Sequence, residues 1–223
     1  MDQFGNVTNV IRYGVDSVLP DHAWPRKCRP YDVIALVHAG EDRPVLEDGN
    51  WGMHLPDHHG ITTNARDDRL ESSPLWKSMW GHEGGHVMIP VSHGYEMTKR
   101  TGEKVWSCIQ RSDDEPWFIA GLGREQEGKR RTEWHVSMVT TDAGPVFAPI
   151  HDTPREVVCL RDWDEVQTWL SADVDACRDL IRPATPDVLS THRVNPDVLT
   201  SGFPVGKWPE PWDPPKQAGL DAF

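Results

Sequence analysis

The sequence has little with which to staple, anchor or charge itself. Its four cysteines, Cys28, Cys108, Cys159 and Cys177, show no C-x-x-C spacing. Neither a zinc ribbon nor a disulfide framework is expected from them. No secretory apolar region and no run long enough to span a bilayer is found. A cytoplasmic location is therefore the expectation, with no membrane partner. Basic residues are scarce: 23 Lys and Arg stand against 35 Asp and Glu, a formal charge of −12. This excludes nucleic-acid affinity carried by bulk charge, because phosphate binding rests on Lys and Arg. A local basic groove on an acidic body stays open. Apolar residues make up only 37%, and no internal repeat is found. What compensates is tryptophan, present 11 times. Most of these side chains are assigned to core packing, although indoles also stack on flat ligands, bases included.

A length of 223 residues suits one domain, or one domain with a tail. The expected division is a polar N-terminal segment at 1–23, a domain at 24–202 and a Pro/Trp-rich tail at 203–223. Residues 31–37 read as a strand, 41–50 as a charged turn region and 51–60 as a loop. Residues 74–80 read as a helix with Ser73 as N-cap and Pro74 at its first position. Short strands follow at 86–91, 104–109, 116–122, 134–140 and 155–160, separated by turn residues as antiparallel pairing requires. Asp162 caps a helix over 162–171, with Glu165 at the capping-box position, and a second helix covers 173–182. The class expected is α+β: a curved antiparallel sheet or barrel-like core with short helices at its periphery.

Three islands hold the groups that could carry chemistry. They are Asn64 and Arg66 in TTNAR, Glu96 in HGYEM, and His151 after a proline in VTTDAGPVFAPIHD. An amide, a guanidinium, a carboxylate and an imidazole thus fall near strand or loop ends, where proton transfer can be staged. The segment His82-Glu83-Gly84-Gly85-His86 matches H-E-x-x-H. That motif binds zinc only on a helix, where both imidazoles share a face. Two interior glycines argue against a helix, and no metal or other cofactor is assigned. His54, His58 and His59 read as loop histidines.

The order of these islands resembles the SOS response-associated peptidase family. Trp51-Gly52 with Pro56 matches its W-G…P segment, and Asn64-Ala65-Arg66-Asp67-Asp68 its N-A-R-x-E. Pro74-Leu75-Trp76 matches the L-W helix. Residues 89–97 match the strand entering D-G-x-Y-E-W. Phe118-Ile119-Ala120-Gly121-Leu122, Thr140-Thr141-Asp142-Ala143 and Pro149-Ile150-His151-Asp152 follow in order. A closing V-S-x-x-V-N is echoed at 190–195.

The resemblance implies a groove for single-stranded or abasic DNA, and an abasic site exposes an aldehyde. In the family, an N-terminal cysteine condenses with that aldehyde to a thiazolidine. The resemblance assigns orientation to Asn64, proton transfer to Glu96 and His151, and DNA contact to Arg66, Trp51 and Arg12. This chain departs at the nucleophile: it begins Met1-Asp2-Gln3, and the nearest match to the family's opening, Val10-Ile11-Arg12-Tyr13-Gly14, puts an apolar residue at the cysteine position. A second departure is H-D-R-x-P, which becomes His151-Asp152-Thr153-Pro154, with the arginine missing or shifted to Arg155. The expected function is binding of single-stranded or abasic DNA, with aldehyde processing but no cysteine crosslink. The alternatives are a non-catalytic DNA-binding or accessory module on the same fold and an H-E-x-x-H zinc peptidase. The tail is a candidate surface for a protein partner.

Overall fold

The computed structural model describes residues 16–17, 28–55, 60–127, 132–197 and 210–212. Strands dominate: β1 (Asp16–Ser17), β2 (Val33–His38), β3 (Val45–Trp51), β4 (Met53–His54), β5 (Ile61–Thr62) and β6 (Asn64–Arg66) come first. A 3-10 turn (Asp67–Arg69) and helix α1 (Pro74–Lys77) lead to β7 (His86–Val91), β8 (Gly94–Thr98) and β9 (Val105–Arg111). The long hairpin β10 (Trp117–Glu127) and β11 (Thr132–Asp142) follows. Then come β12 (Arg155–Val157), β13 (Cys159–Leu160), α2 (Trp163–Leu170), α3 (Val174–Leu180) and β14 (Leu189–Val194).

Five strands close on themselves in the order β3-β2-β7-β10-β11. The first four pairings are antiparallel and the closing pair, β11 with β3, is parallel. An odd number of strands that alternate in direction must meet once in parallel. Closure removes the unpaired edges that an open sheet would expose. Strand β6 adds to β11 in parallel, and β12 pairs with β11 antiparallel. A separate three-stranded sheet runs β14-β9-β8.

Both faces of β2, β7 and the first seven residues of β10 are buried, so these sequences read as apolar runs. Alternate residues nonetheless sort into two cores, as the period of two requires. Ile34, Leu36, Val87, Ile89, Ile119, Val136 and Met138 fill the interior. Ala35, Val37, Met88, Phe118, Ala120, Leu122 and Val139 face outward beneath the helices. Helix α2 docks there through Val166, Trp169 and Leu170. Trp169 is fully buried, and its indole N–H lies 3.0 Å from the Val87 carbonyl and 3.1 Å from that of Gly121. Those two residues face each other across β7 and β10. Trp76, Trp80, Trp117 and Trp169 are buried, and no described tryptophan is exposed.

The α+β expectation, a barrel-like core with peripheral helices, holds. Asp162 caps α2 as read, accepting from the Glu165 N–H at 2.9 Å. Other readings need correction. Residues 45–51 form β3 rather than a turn; Glu47, Asp48 and Asn50 lie on a strand only partly buried, which blurs its alternation. Helix α1 stops at Lys77, before the run to residue 80, and Ser73 makes no side-chain cap. Residues 155–160 divide into β12 and β13, since Val158 still donates to Val139 of β11 while its carbonyl accepts from Ala120 of β10, the strand with which β13 pairs. His58, His59, Arg12 and most of the tail lie outside the described residues. Of the tail, Trp212 donates its backbone N–H to the Arg193 carbonyl at 2.9 Å, and the Arg193 guanidinium lies 5.5 Å from its ring.

Candidate functional site

His151 lies in the connection between β11 and β12. That connection winds through helical turns, with Ala148 bonded to Gly144 and the His151 N–H to the Phe147 carbonyl. Asp152, the next residue, is a clamp. Its carboxylate accepts from the Thr98 hydroxyl and from the Lys99 N–H at 3.1 Å. Thr98 stands two residues beyond Glu96 on β8, so both project from one face. The clamp therefore brings the imidazole to Glu96, and His151 Nε2 lies 3.5 Å from Glu96 Oε2. At that distance the two groups face each other without a close hydrogen bond.

The ring's other nitrogen fixes its tautomer. His151 Nδ1 lies 2.9 Å from the Arg155 carbonyl, which can only accept, so Nδ1 carries the hydrogen. Nε2 is left to take or give a proton opposite Glu96, with the Thr153 hydroxyl 3.2 Å away. Burial raises the Glu96 carboxyl above its ordinary value, with the nearby His151 opposing. A carboxyl so raised is suited to exchange protons nearer neutrality.

Strand β6 brings Asn64 and Arg66 to the same place by pairing alongside Met138 and Thr140 of β11. Both are exposed. Arg66 is held by Asp68 in a two-pronged pair, at 3.0 and 2.7 Å. Trp51, half-buried, directs its indole N–H toward the Thr63 carbonyl at 3.4 Å. Arg155, the candidate for a displaced family arginine, is committed elsewhere. It binds Asp67 at 2.7 Å, Asp142 at 3.0 Å and the Thr140 carbonyl, tying the end of β6 to the start of β12. Asp67 stays below the ordinary carboxylate range; its burial opposes this, and Arg155 and Thr141 outweigh the burial.

One residue of the site was not read from the sequence. Glu156 is 2% exposed, and its two oxygens accept the Gly144 and Ala184 N–H groups. It holds the root of the His151 connection, and burial raises its carboxyl. A charged residue inside the apolar run 156–160 was the available signal. These groups ring a cavity of ≈ 490 Å³ that continues the barrel interior. Asn64, Arg66, Glu96 and His151 all line it, with Trp51.

All four cysteines are buried in the cores. Burial pushes the Cys159 and Cys177 thiols up to about 12. The H-E-x-x-H segment is not helical: Gly84 sits at φ +74 within turns, and His86 opens β7. His86 is stacked on Trp80, and its Nε2 accepts from the Gly81 N–H at 3.1 Å. Burial pushes His86 and His93 down from 6.5 to about 4. Between those values the unfolded chain binds more protons than the folded one. Stability is therefore expected to be full above pH 6.5 and to fall toward pH 4, by up to about 1.4 kcal/mol per unit for each ring. Urea midpoints measured across this range check it.

The fold is shared with solved structures. A protein from Bordetella bronchiseptica superposes with a TM-score of 0.73 at 25% identity, covering 84% of this chain and 95% of its own. One from Bacteroides thetaiotaomicron gives 0.75 at 17%, covering 88% and 91%. A phage-related protein from Bordetella bronchiseptica gives 0.63 at 20%, covering 79% and 85%. No curated protein matches. Fold and site together define a small closed barrel with a carboxylate and an imidazole at the mouth of a cavity. The chain belongs to the SOS response-associated peptidase (SRAP) family, whose model matches residues 24–201. Membership ties it, in general terms, to a DNA-associated role in processing abasic sites. No described helix is long and apolar enough to cross a membrane.

Proposed function

We propose that this chain binds single-stranded DNA at an abasic site and promotes strand scission there by proton transfer, without a cysteine crosslink. The observation that carries the reading is the Glu96–His151 pair at the cavity mouth, flanked by exposed Asn64 and Arg66. The ring-opened sugar presents an aldehyde whose neighbouring carbon, C2′, is acidic. Glu96 or the His151 Nε2 removes a C2′ proton. The electron pair forms the C2′–C3′ double bond, the C3′–O bond breaks, and the 3′ phosphate leaves. The Asn64 amide donates to the aldehyde oxygen as charge develops there.

The test is incubation with a single strand carrying one abasic site, with and without borohydride, resolved on a denaturing gel. Scission without a trapped adduct is expected. A borohydride-dependent adduct would overturn the non-covalent step, and a stable adduct without borohydride would restore the crosslink. No adduct, no scission and no mobility shift on a native gel would end the DNA reading.

Arg66 is the proposed phosphate contact, with Asp68 as its competitor. Asp68→Asn is expected to tighten binding of the single strand. It should also steepen the slope of log K against log salt by roughly 0.7, the increment for one phosphate neutralised on a single strand. An unchanged slope in a salt titration would remove Arg66 from the interface.

A further inference from the structure

Among the described residues one large apolar side chain is exposed: Tyr31, at 71%. An exposed aromatic is ordinary by itself. Its backbone is not, since Tyr31 sits at φ +78, in the left-handed region that bulky side chains avoid. The surrounding bonds hold it there. The Tyr31 N–H donates to the Trp51 carbonyl at 2.8 Å, and the Trp51 N–H to the Asp32 carbonyl at 3.0 Å. The Asp32 N–H donates to the Arg29 carbonyl at 3.0 Å, and the Asp32 carboxylate accepts the Arg29 N–H at 2.7 Å. The turn 29–32 is thus clipped to the end of β3. Glycine would adopt this conformation without strain. A tyrosine held there against that cost is the kind of outlier that marks a functional surface.

The turn stands at the rim of the cavity. Pro30 is exposed and lines it, as do Trp51 and Asn64. Trp51 ties the turn to the site. Its backbone bonds both Tyr31 and Asp32, and its indole N–H is directed toward the carbonyl of Thr63, the neighbour of Asn64. The Tyr31 ring is in solvent beside that rim, so a flat ligand can reach its face. Stacking on such a ring supplies affinity without charge. That suits a chain of net charge −12 in contact with a polyanion.

We infer that Tyr31 is a stacking platform for the unpaired base of a nucleotide flanking the abasic sugar. The base lies on the exposed ring at the rim, while the abasic aldehyde enters beside Glu96 and His151. The clipped turn fixes the backbone under the ring before the strand arrives, which lowers the ordering cost of binding. The inference rests on the proposed DNA reading and adds one base contact to it. Every base has a π-face, so the platform accepts all four.

The test is a fluorescence-anisotropy titration with two single strands. One carries an abasic site between ordinary nucleotides. In the other, both neighbours are replaced by the baseless tetrahydrofuran analogue. Tyr31→Gly is the deciding variant, because it removes the ring and relieves the turn. It should raise the urea midpoint yet weaken binding of the first strand roughly 5- to 150-fold, the worth of one base stacked on an aromatic side chain. Its affinity for the baseless strand should equal the wild-type value. Tyr31→Phe keeps the ring face and should bind both strands as the wild type does. Wild-type affinity of Tyr31→Gly for the first strand, or equal weakening on both strands, overturns the inference and leaves the DNA reading standing. Failure of the wild-type chain to bind either strand overturns both.

Discussion

His151→Asn is expected to slow scission of an abasic single strand by about 10²–10⁴-fold, the range for losing a positioned acid–base group. Asparagine can place its amide nitrogen near the position of Nδ1, so the bond to the Arg155 carbonyl can survive. What it lacks is Nε2, the nitrogen that faces Glu96. Strand affinity should therefore stay near the wild-type value while the single-turnover rate falls. Glu96→Gln should cut the rate on the same scale, because it keeps the shape and loses the ionisation. The double variant should be little worse than either single one, since groups that act as a unit are not additive. The pH profile separates catalysis from mere structure. The wild-type rate should show a limb from a carboxyl above its ordinary value, because burial raises Glu96. Glu96→Gln should remove that limb. Unchanged scission by His151→Asn, in a protein with unaltered circular dichroism, would withdraw the proton-transfer role.

Trp169→Ala is expected to be among the most destabilising single changes, at about 3–5 kcal/mol. The side chain is fully buried between α2 and the barrel. Its indole N–H serves two carbonyls, on β7 and β10, at one register position. Its ring also packs on His86 at 4.6 Å and Trp80 at 5.8 Å between centroids. Truncation leaves a cavity, strands both carbonyls and uncovers a histidine that folding holds neutral. Trp169→Phe retains most of the packing and loses only the donor, so it should cost about 1–3 kcal/mol. Urea unfolding followed by far-ultraviolet circular dichroism measures both. A midpoint for Trp169→Ala within error of wild type would show that α2 is not needed to hold the β7–β10 pair.

Much of the architecture was legible because its signals are local. Strand β7 has the bounds its apolar run predicts, and the outer part of the β10–β11 hairpin falls within the expected 116–122 and 134–140; the inner part, 123–127 and 132–133, lies beyond them because its residues are polar or glycine. The cap of α2 was legible because Asp162 and Glu165 sit three residues apart and their bond forms within one turn. Strand β3 was missed for the converse reason. Its Glu47, Asp48 and Asn50 look like turn residues until β2 and β11 pair on either side.

The site divides along the same line. The types and order of Asn64, Arg66, Glu96 and His151 are written in the chain, and their order carried the family. The cysteine spacing excluded a zinc ribbon, but only the tertiary structure decided that all four thiols are consumed in packing. Only the fold decided that Glu96 and His151 meet, that Asp152 is the clamp joining them, and that Arg155 is spent on Asp67 and Asp142. Only the fold placed Glu156 beneath the His151 connection. The physical reason is that strand pairing and capping are decided within a few residues or by one pairing partner. A carboxylate's charge state, an imidazole's tautomer and a cavity's volume depend on what distant segments bring to them after closure.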